Sequence, residues 1–264
     1  MGLVIAWVVV ALWVGLALFG PLLPLEPNAM DLERILSPPS ARQWLGYDDL
    51  GRAVMDRMVV GARTSFLVSV AVVSICAVVG TVVGTISGYY GGLADRVLVH
   101  VFDVFLAFPG ILLAIAMAAV LGPGIANVVI ALSVMGWVGF ARLARAQVLS
   151  LKHRDHVLAA RALGTSDLGI VRRHLVPLIA APLIVEATFG LAAVMVAEAG
   201  LSFLGLGVQP PEPSWGTLIR DGAAYMLVAP HMLIVPVSGL AAVVLAVNIL
   251  GDRVRDRLDV RASR

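Results

Sequence analysis

Residues 104–141 read VFLAFPGILLAIAMAAVLGPGIANVVIALSVMGWVGFA, a run of 38 residues without Asp, Glu, Lys or Arg. A helix needs about 20 mostly apolar residues to cross about 30 Å of hydrocarbon. The run is too long for one crossing. Gly122-Pro123-Gly124 interrupts it, and that triplet is a strong turn signal. The segment therefore reads as a helical hairpin, two spans joined by a very short loop.

Working outward, residues 1–25, 64–94 and 222–251 are also free of charged side chains. A further apolar stretch, 178–200, is interrupted only by Glu186 and Glu198. Six spans are expected, near 3–23, 64–88, 102–121, 125–145, 178–200 and 230–250. The fold class is all-α, a polytopic membrane protein. Composition agrees: 60% of the 264 residues are hydrophobic and 14% charged. A soluble domain carries about 25% charged residues. The first run has no positive residue ahead of it, and its 21 or so apolar residues exceed the roughly 7–15 of a signal peptide. It reads as a span.

Lys/Arg asymmetry sets the orientation. Arg96, the segment from Arg142 to Arg173 and the tail from Arg253 to Arg264 share one side and hold 13 basic residues. The other side holds 6: Arg34, Arg42, Arg52, Arg57, Arg63 and Arg220. The richer side is expected to be cytoplasmic, with both termini inside. The net charge of +2 fits topology rather than nucleic-acid binding. The single cysteine, Cys76, lies within an apolar run and reads as a small buried residue.

Three polar segments connect the spans. The external stretch 24–63 is proline-rich at first; from Trp44 onward Leu50, Val54 and Met58 have helical spacing, read as an interfacial helix leading into the second span. The second segment is the cytoplasmic loop 146–176. The third, 201–229, is an external loop rich in Gly and Pro with Phe203, Trp215 and Tyr225. Gly80, Gly84 and Gly88 put small residues on one face of the second span, a pattern that favours helix packing. Pro109 and Pro236 mark kinks.

Chemistry-bearing motifs are sparse. There is no GxxxxGK[ST] phosphate loop, no HExxH and no CxxC, and no metal site or cofactor is expected in this chain. His153 and His156 read as solvated. Three acids fall in or beside spans: Asp103, Glu186 and Glu198. An ionisable residue within a span marks either a path or a pairing with another helix or subunit. Glu186, about two turns into its span, is the leading candidate. Nothing in the chain supplies energy for uphill transport.

The cytoplasmic loop carries a second signal. Residues 155–163 favour helix, Gly164 stops it, and Thr165-Ser166-Asp167 caps a second helix running to His174, with Pro177 opening the next span. A short helix of small side chains with arginines around it suits docking to a soluble protein, or lies at the interface as an ordinary amphipathic turn.

This loop resembles the EAA loop of permease subunits of ABC importers. Leu158-Ala159-Ala160 precede Gly164 at the family's spacing, and His174, Val176 and Pro177 stand at its Ile, Leu and Pro places. Leu158 replaces the family's Glu. Trp44-Leu45-Gly46-Tyr47-Asp48-Asp49-Leu50-Gly51-Arg52, then Gly61-Ala62-Arg63-Thr64-Ser65, resembles a signature of the dipeptide/oligopeptide/nickel permeases. So do Glu198-Ala199-Gly200-Leu201-Ser202-Phe203-Leu204-Gly205-Leu206-Gly207, Pro210 to Gly216, and the ending Leu250-Gly251-Asp252-Arg253-Val254-Arg255-Asp256. The likeness points to the C-type of the two permease subunits.

The resemblance implies a type I ABC importer permease fold in a bacterial inner membrane. Residues 1–63 would form the first transmembrane helix and an external segment, and 64–264 the permease domain. It implies a heterodimer with a homologous permease, two ATPase subunits that bind ATP-Mg, and an extracytoplasmic solute-binding protein. Val157, Leu158, Ala159, Ala160, Arg161, Ala162, Leu163, Gly164, Thr165 and Ser166 would couple to the ATPases. Phe203, Pro211, Trp215 and Gly216 would contact the binding protein or shape an outer gate, and Glu186 and Glu198 are path candidates. Di- or oligopeptides lead as solutes, ahead of nickel or metal chelates and glutathione-like molecules. An ion-coupled secondary carrier is the alternative from another class.

Overall fold

The computed structural model describes residues 2–262, with side chains as far as Leu258. Met1 and Arg264, the last arginine of the basic tail, lie outside the described residues. The helices are α1 (Gly2–Phe19), α2 (Val54–Tyr90), α3 (Gly92–Leu106), α4 (Gly110–Leu121), α5 (Ile125–Leu151), α6 (Asp155–Ala162), α7 (Asp167–Ile170), α8 (Val176–Phe203), α9 (Trp215–Ala224) and α10 (His231–Ala262). Five continuous helical stretches are long and apolar enough to cross a membrane: α1, α2, α5, α7 running into α8, and α10. The pair α3 and α4, bent by 82°, brings the number to six when it is counted as one broken span.

The bend falls at Pro109, where a kink was expected, and it splits the 102–121 segment into two helices. Pro109 has no N–H, and it disfavours helical geometry in the residue before it. The chain breaks at 107–109, and Pro109 becomes the N-cap of α4. The hairpin forms as read: Gly122 (φ +85°) and Gly124 (φ +138°) take backbone conformations that suit only glycine, and α5 starts at once.

The second span is longer than expected. At 37 residues, α2 reaches about 55 Å, more than the roughly 40–45 Å of a bilayer with its headgroups. There is no separate interfacial helix. Leu50 lies in a turn instead, where Asp48 accepts from the Leu50 N–H at 2.9 Å and the Arg52 N–H at 2.8 Å. Asp48 also receives Arg52 Nε at 2.7 Å and lies 3.4 Å from Arg57 Nε. Asp48, Arg52 and Arg57 are all buried, so these arginines, counted above only for their side of the membrane, hold the 24–63 stretch against α2.

The core forms where α2, α5 and α8 meet, around Val72, Val128, Ile170, Leu175 and Ile179. A second cluster joins α1, α9 and α10 to α2 around Trp13, Met195 and Trp215. Cys76 is buried, as read, with its thiol 3.6 Å from the Ser133 carbonyl. The glycine seam of α2 meets α5. A Cβ on Gly84 would overlap the Ala141 carbonyl oxygen, one on Gly80 the Trp137 carbonyl oxygen, and one on Gly88 would lie 2.9 Å from the Arg145 oxygen.

Gly84→Ala is therefore expected to destabilise the protein by about 1–3 kcal/mol, the usual range for over-packing. Gly15→Ala, where a Cβ meets nothing within 4 Å, is the control. Thermal unfolding of the detergent-purified importer checks this. Equal melting temperatures for the two variants would refute the tight seam.

Candidate functional site

The cytoplasmic loop folds into two short helical pieces. Asp155 sits in the first turn of α6 and Arg161 in its last, each favourable to the helix dipole. Gly164 ends α6 at φ +79°. Its N–H donates to the Arg161 carbonyl at 3.0 Å, and the Thr165 N–H to that of Ala160 at 3.0 Å. This is the paired-bond stop that a left-handed glycine provides. Ser166 caps α7, its Oγ accepting from the Gly169 N–H at 3.3 Å.

The expected break before Pro177 is absent. From Asp167 the helix runs to Phe203 through a π-helical turn at Val171–Leu175. There the Val176 N–H reaches back to the Val171 carbonyl. The wider turn makes room for the proline ring, which would otherwise strike a carbonyl one turn back. The π turn thus joins the loop rigidly to the span.

α6 has two faces. Val157 and Ala160 are buried against the core, whereas Leu158 is 44% exposed and Leu163 is 86% exposed. Ala159 and Ala162 share the exposed side. Thr165, Ser166 and Gly164 line an open groove of ≈ 640 Å³ with Leu168, Arg172 and Arg173.

What ties α6 to the membrane helices is the last turn of α2, which sequence reading passed over. Tyr89, buried, donates its hydroxyl to Asp167 Oδ1 at 2.6 Å. Arg161 donates to the Tyr89 oxygen at 3.0 Å and lies 5.7 Å from the ring centre. That contact raises the affinity of Arg161 for its proton further. One residue back, Lys152 at the end of α5 donates to the Gly88 carbonyl at 2.8 Å. One further back, the Ser87 hydroxyl meets Asp95 of α3, which also takes a two-pronged contact from Arg145 at 2.6 and 2.8 Å. Three consecutive residues thus bind α3, α5, α6 and α7. The available signal was a Tyr pair at the cytoplasmic end of a span, where aromatic residues anchor helices.

The external candidates divide. Phe203, 46% exposed, and Pro211 stand at the surface. Trp215 and Gly216 do not, which corrects their reading as contact residues. Trp215 is 4% exposed, packs near Trp13 at 6.5 Å, and donates Nε1–H to the Met58 carbonyl at 3.0 Å. A Cβ on Gly216 would lie 2.7 Å from Ala199 Cα. Both belong to the packing of α9 on α2 and α8.

Glu198, read as a path candidate, is 1% exposed. Ser202 donates to it at 2.7 Å and Ser65 at 3.1 Å, and the Ser214 hydroxyl is 3.5 Å from that of Ser202. This buried cluster joins α2, α8 and the start of α9, and in this conformation Glu198 lines no surface. Glu186 is half-buried and faces α5 at Gly139. Asp103 is exposed on α3. The His156 and His174 rings lie 6.4 Å apart. Among the described residues no group of three His, Cys, Asp or Glu is placed to hold a metal ion.

The helical bundle has counterparts among known proteins. Residues 80–264 match the family described as "Binding-protein-dependent transport system inner membrane component". The glutathione transport system permease protein GsiD of Pectobacterium atrosepticum is 41% identical over 88% of this chain and 77% of its own length. Its counterpart in Shigella dysenteriae serotype 1 is 43% identical over the same shares. A permease chain in inward-facing structures of the MetNI methionine ABC transporter superposes with a TM-score of 0.63 at 20% identity, covering 77% of this chain and 97% of that one. The chain belongs to the binding-protein-dependent transport system inner membrane components. It is a permease subunit of an ABC importer, with the type I importer fold.

Tyr89→Phe keeps the ring and removes the hydroxyl shared by Arg161 and Asp167. Hydrogen bonds to charged groups contribute about 1.5–3 kcal/mol. Amide exchange across 155–163 in the assembled importer is expected to quicken by about tenfold or more. Unchanged exchange would mean that Val157 and Ala160 alone hold α6.

Proposed function

We propose that this permease imports small peptides of the glutathione type, and that α6 is where ATPase motion enters it. The observation that carries the coupling role is the combination of an exposed outer face on α6 with a hydrogen-bonded tie to the last turn of α2. A helix merely resting at the interface needs no such tie. The partners are a homologous second permease, two ATPases that bind ATP-Mg and hydrolyse the ATP, and an extracytoplasmic binding protein. Both termini are cytoplasmic, on the strength of the Lys/Arg bias. Residues 64–264 form the permease domain, and α1 with the external stretch to residue 63 packs on it.

The cycle follows from two-state logic. The assembly alternates between inward and outward openings, and a ligand shifts the balance only by binding one state better than the other. Nucleotide-driven closure of the ATPases displaces α6. Tyr89 and Asp167 pass that displacement to α2 and to the continuous α7–α8 helix. Phe203 and Pro211 at the outer surface are where the loaded binding protein bears on the chain. Glutathione-type solutes rank first because relatives at 41–43% identity carry that name. Other di- and oligopeptides come next.

Uptake by the complete importer in proteoliposomes tests the solute. Labelled glutathione or dipeptides are expected to accumulate with ATP inside, and nickel is not. Accumulation of nickel alone, or uptake driven by a proton or sodium gradient without ATPase subunits, would overturn the reading. Gly164→Asp puts a side chain on a left-handed residue and a charge beside the docking face. It is expected to leave membrane insertion intact and to lower uptake per ATP hydrolysed at least several-fold. Normal coupling in that variant would remove α6 from the mechanism.

A further inference from the structure

Among the described residues of α5 and α8, two charged side chains, Glu186 and Arg142, have no side-chain partner. Glu186 stands ten residues into α8, about 15 Å along the helix axis, and makes no hydrogen bond or ion pair. Across from it is α5, where a Cβ on Gly139 would lie 3.4 Å from Glu186 Oε1. Arg142 is exposed and also unpaired. It follows Gly139 by three residues, so the two share a face of α5. Ala146 is exposed on that same face. By contrast Arg145, three residues further on, is fully engaged with Asp95.

Gly84 of α2 packs against Ala141, and the end of α2 is more than a turn beyond. Arg142 thus lies where the charge-free run of α5 stops, and Glu186, level with Gly139, lies deeper. An ionised group facing lipid at that depth is costly, and such groups face water or another protein group. Here one anion and one cation lie along one face formed by α5 and α8, with Gly139 presenting no side chain beside Glu186.

We propose that this face lines the translocation path and binds the two ends of a zwitterionic peptide, Glu186 taking the ammonium and Arg142 the carboxylate. Gly139 leaves room for the peptide backbone beside Glu186, and the guanidinium fork suits a carboxylate in two-pronged contact. The peptide part of this inference rests on the solute reading above; the exposure of the face to water does not.

The test uses the complete importer in proteoliposomes. In a Cys76→Ser background, E186C and R142C are treated with a membrane-impermeant, positively charged methanethiosulfonate, with and without trapped ATP. Both positions are expected to react in at least one state. E186Q is expected to lower uptake of a dipeptide per ATP hydrolysed by about tenfold, the loss of one charge-assisted contact, with ATPase activity retained and E186D restoring uptake. Reaction at neither position, with transport lost, would show a pair with the second permease instead and overturn the path. An unchanged uptake ratio in E186Q would overturn peptide binding. If the wild-type importer carries no peptide, the solute reading fails and the peptide role falls with it, while labelling still decides whether the face is wet.

Discussion

The near-contact of the α2 and α5 backbones is the constraint on which the rest of the molecule depends. In lipid no hydrophobic force draws helices together, so van der Waals contact at close range must do it. Gly80, Gly84 and Gly88 make that range reachable by presenting no side chain to residues 137–148 of α5. The seam also fixes axial register. With Gly88 against Arg145 and Val148, the last turn of α2 arrives beside Lys152 and Arg145. Only then do Ser87, Gly88 and Tyr89 meet their partners on α3, α5, α6 and α7. A wider spacing would leave Lys152 short of the Gly88 carbonyl.

The seam and the last turn of α2 together form a lever. α6 is held to the bundle by Val157 and Ala160 on its inner face and by Arg161 at its end. The Tyr89 hydroxyl accepts from α6 and donates to α7, so neither helix moves without the other or without α2. Because α2 and α5 cannot slide apart without separating glycine from backbone, they shift as a pair. The π turn does the same for α8: it carries helical hydrogen bonding past Pro177, where a break would have acted as a hinge.

Much of this was legible in the sequence, and the reasons divide cleanly. Charge-free runs report spans because hydrocarbon excludes charge, and Gly122-Pro123-Gly124 reports a turn because its backbone conformation is local. The seam was legible as spacing. The 146–176 loop was legible down to its caps, since Gly164 and Ser166 act on their immediate neighbours. The misread side chains depend on long-range contacts, whereas the Asp48 turn and the π turn before Pro177 were local features that spacing did not reveal. Trp215 looked like a surface aromatic, but its partners Trp13 and Met58 lie far away in sequence. Glu198 looked like a path residue until Ser65, over a hundred positions distant, closed over it. Arg52 and Arg57 were counted only as charges on the less basic side, and their burial on Asp48 was not legible there. Glu186 stands apart, since its neighbour across the helix interface is a glycine that satisfies nothing.

Leu158 is the place where this chain departs from the family's acidic residue, and the structure gives the change a physical meaning. A carboxylate there would sit near the start of α6 and favour the positive end of the helix dipole. Asp155 already occupies that first turn, so helix stability does not require a second acid. Leu158 is 44% exposed, and Leu163 and Leu168 are 86% and 66% exposed beside it. Exposed leucines clustered on a polar cytoplasmic face are unfavourable unless a partner covers them. On the proposed reading the ATPase provides that cover, and buried apolar area replaces an ion pair as the source of its affinity. Such a contact is non-directional and little screened by salt. Registration of α6 in the ATPase groove then falls to the features that remain directional here, the Gly164 turn and the arginines at 161, 172 and 173.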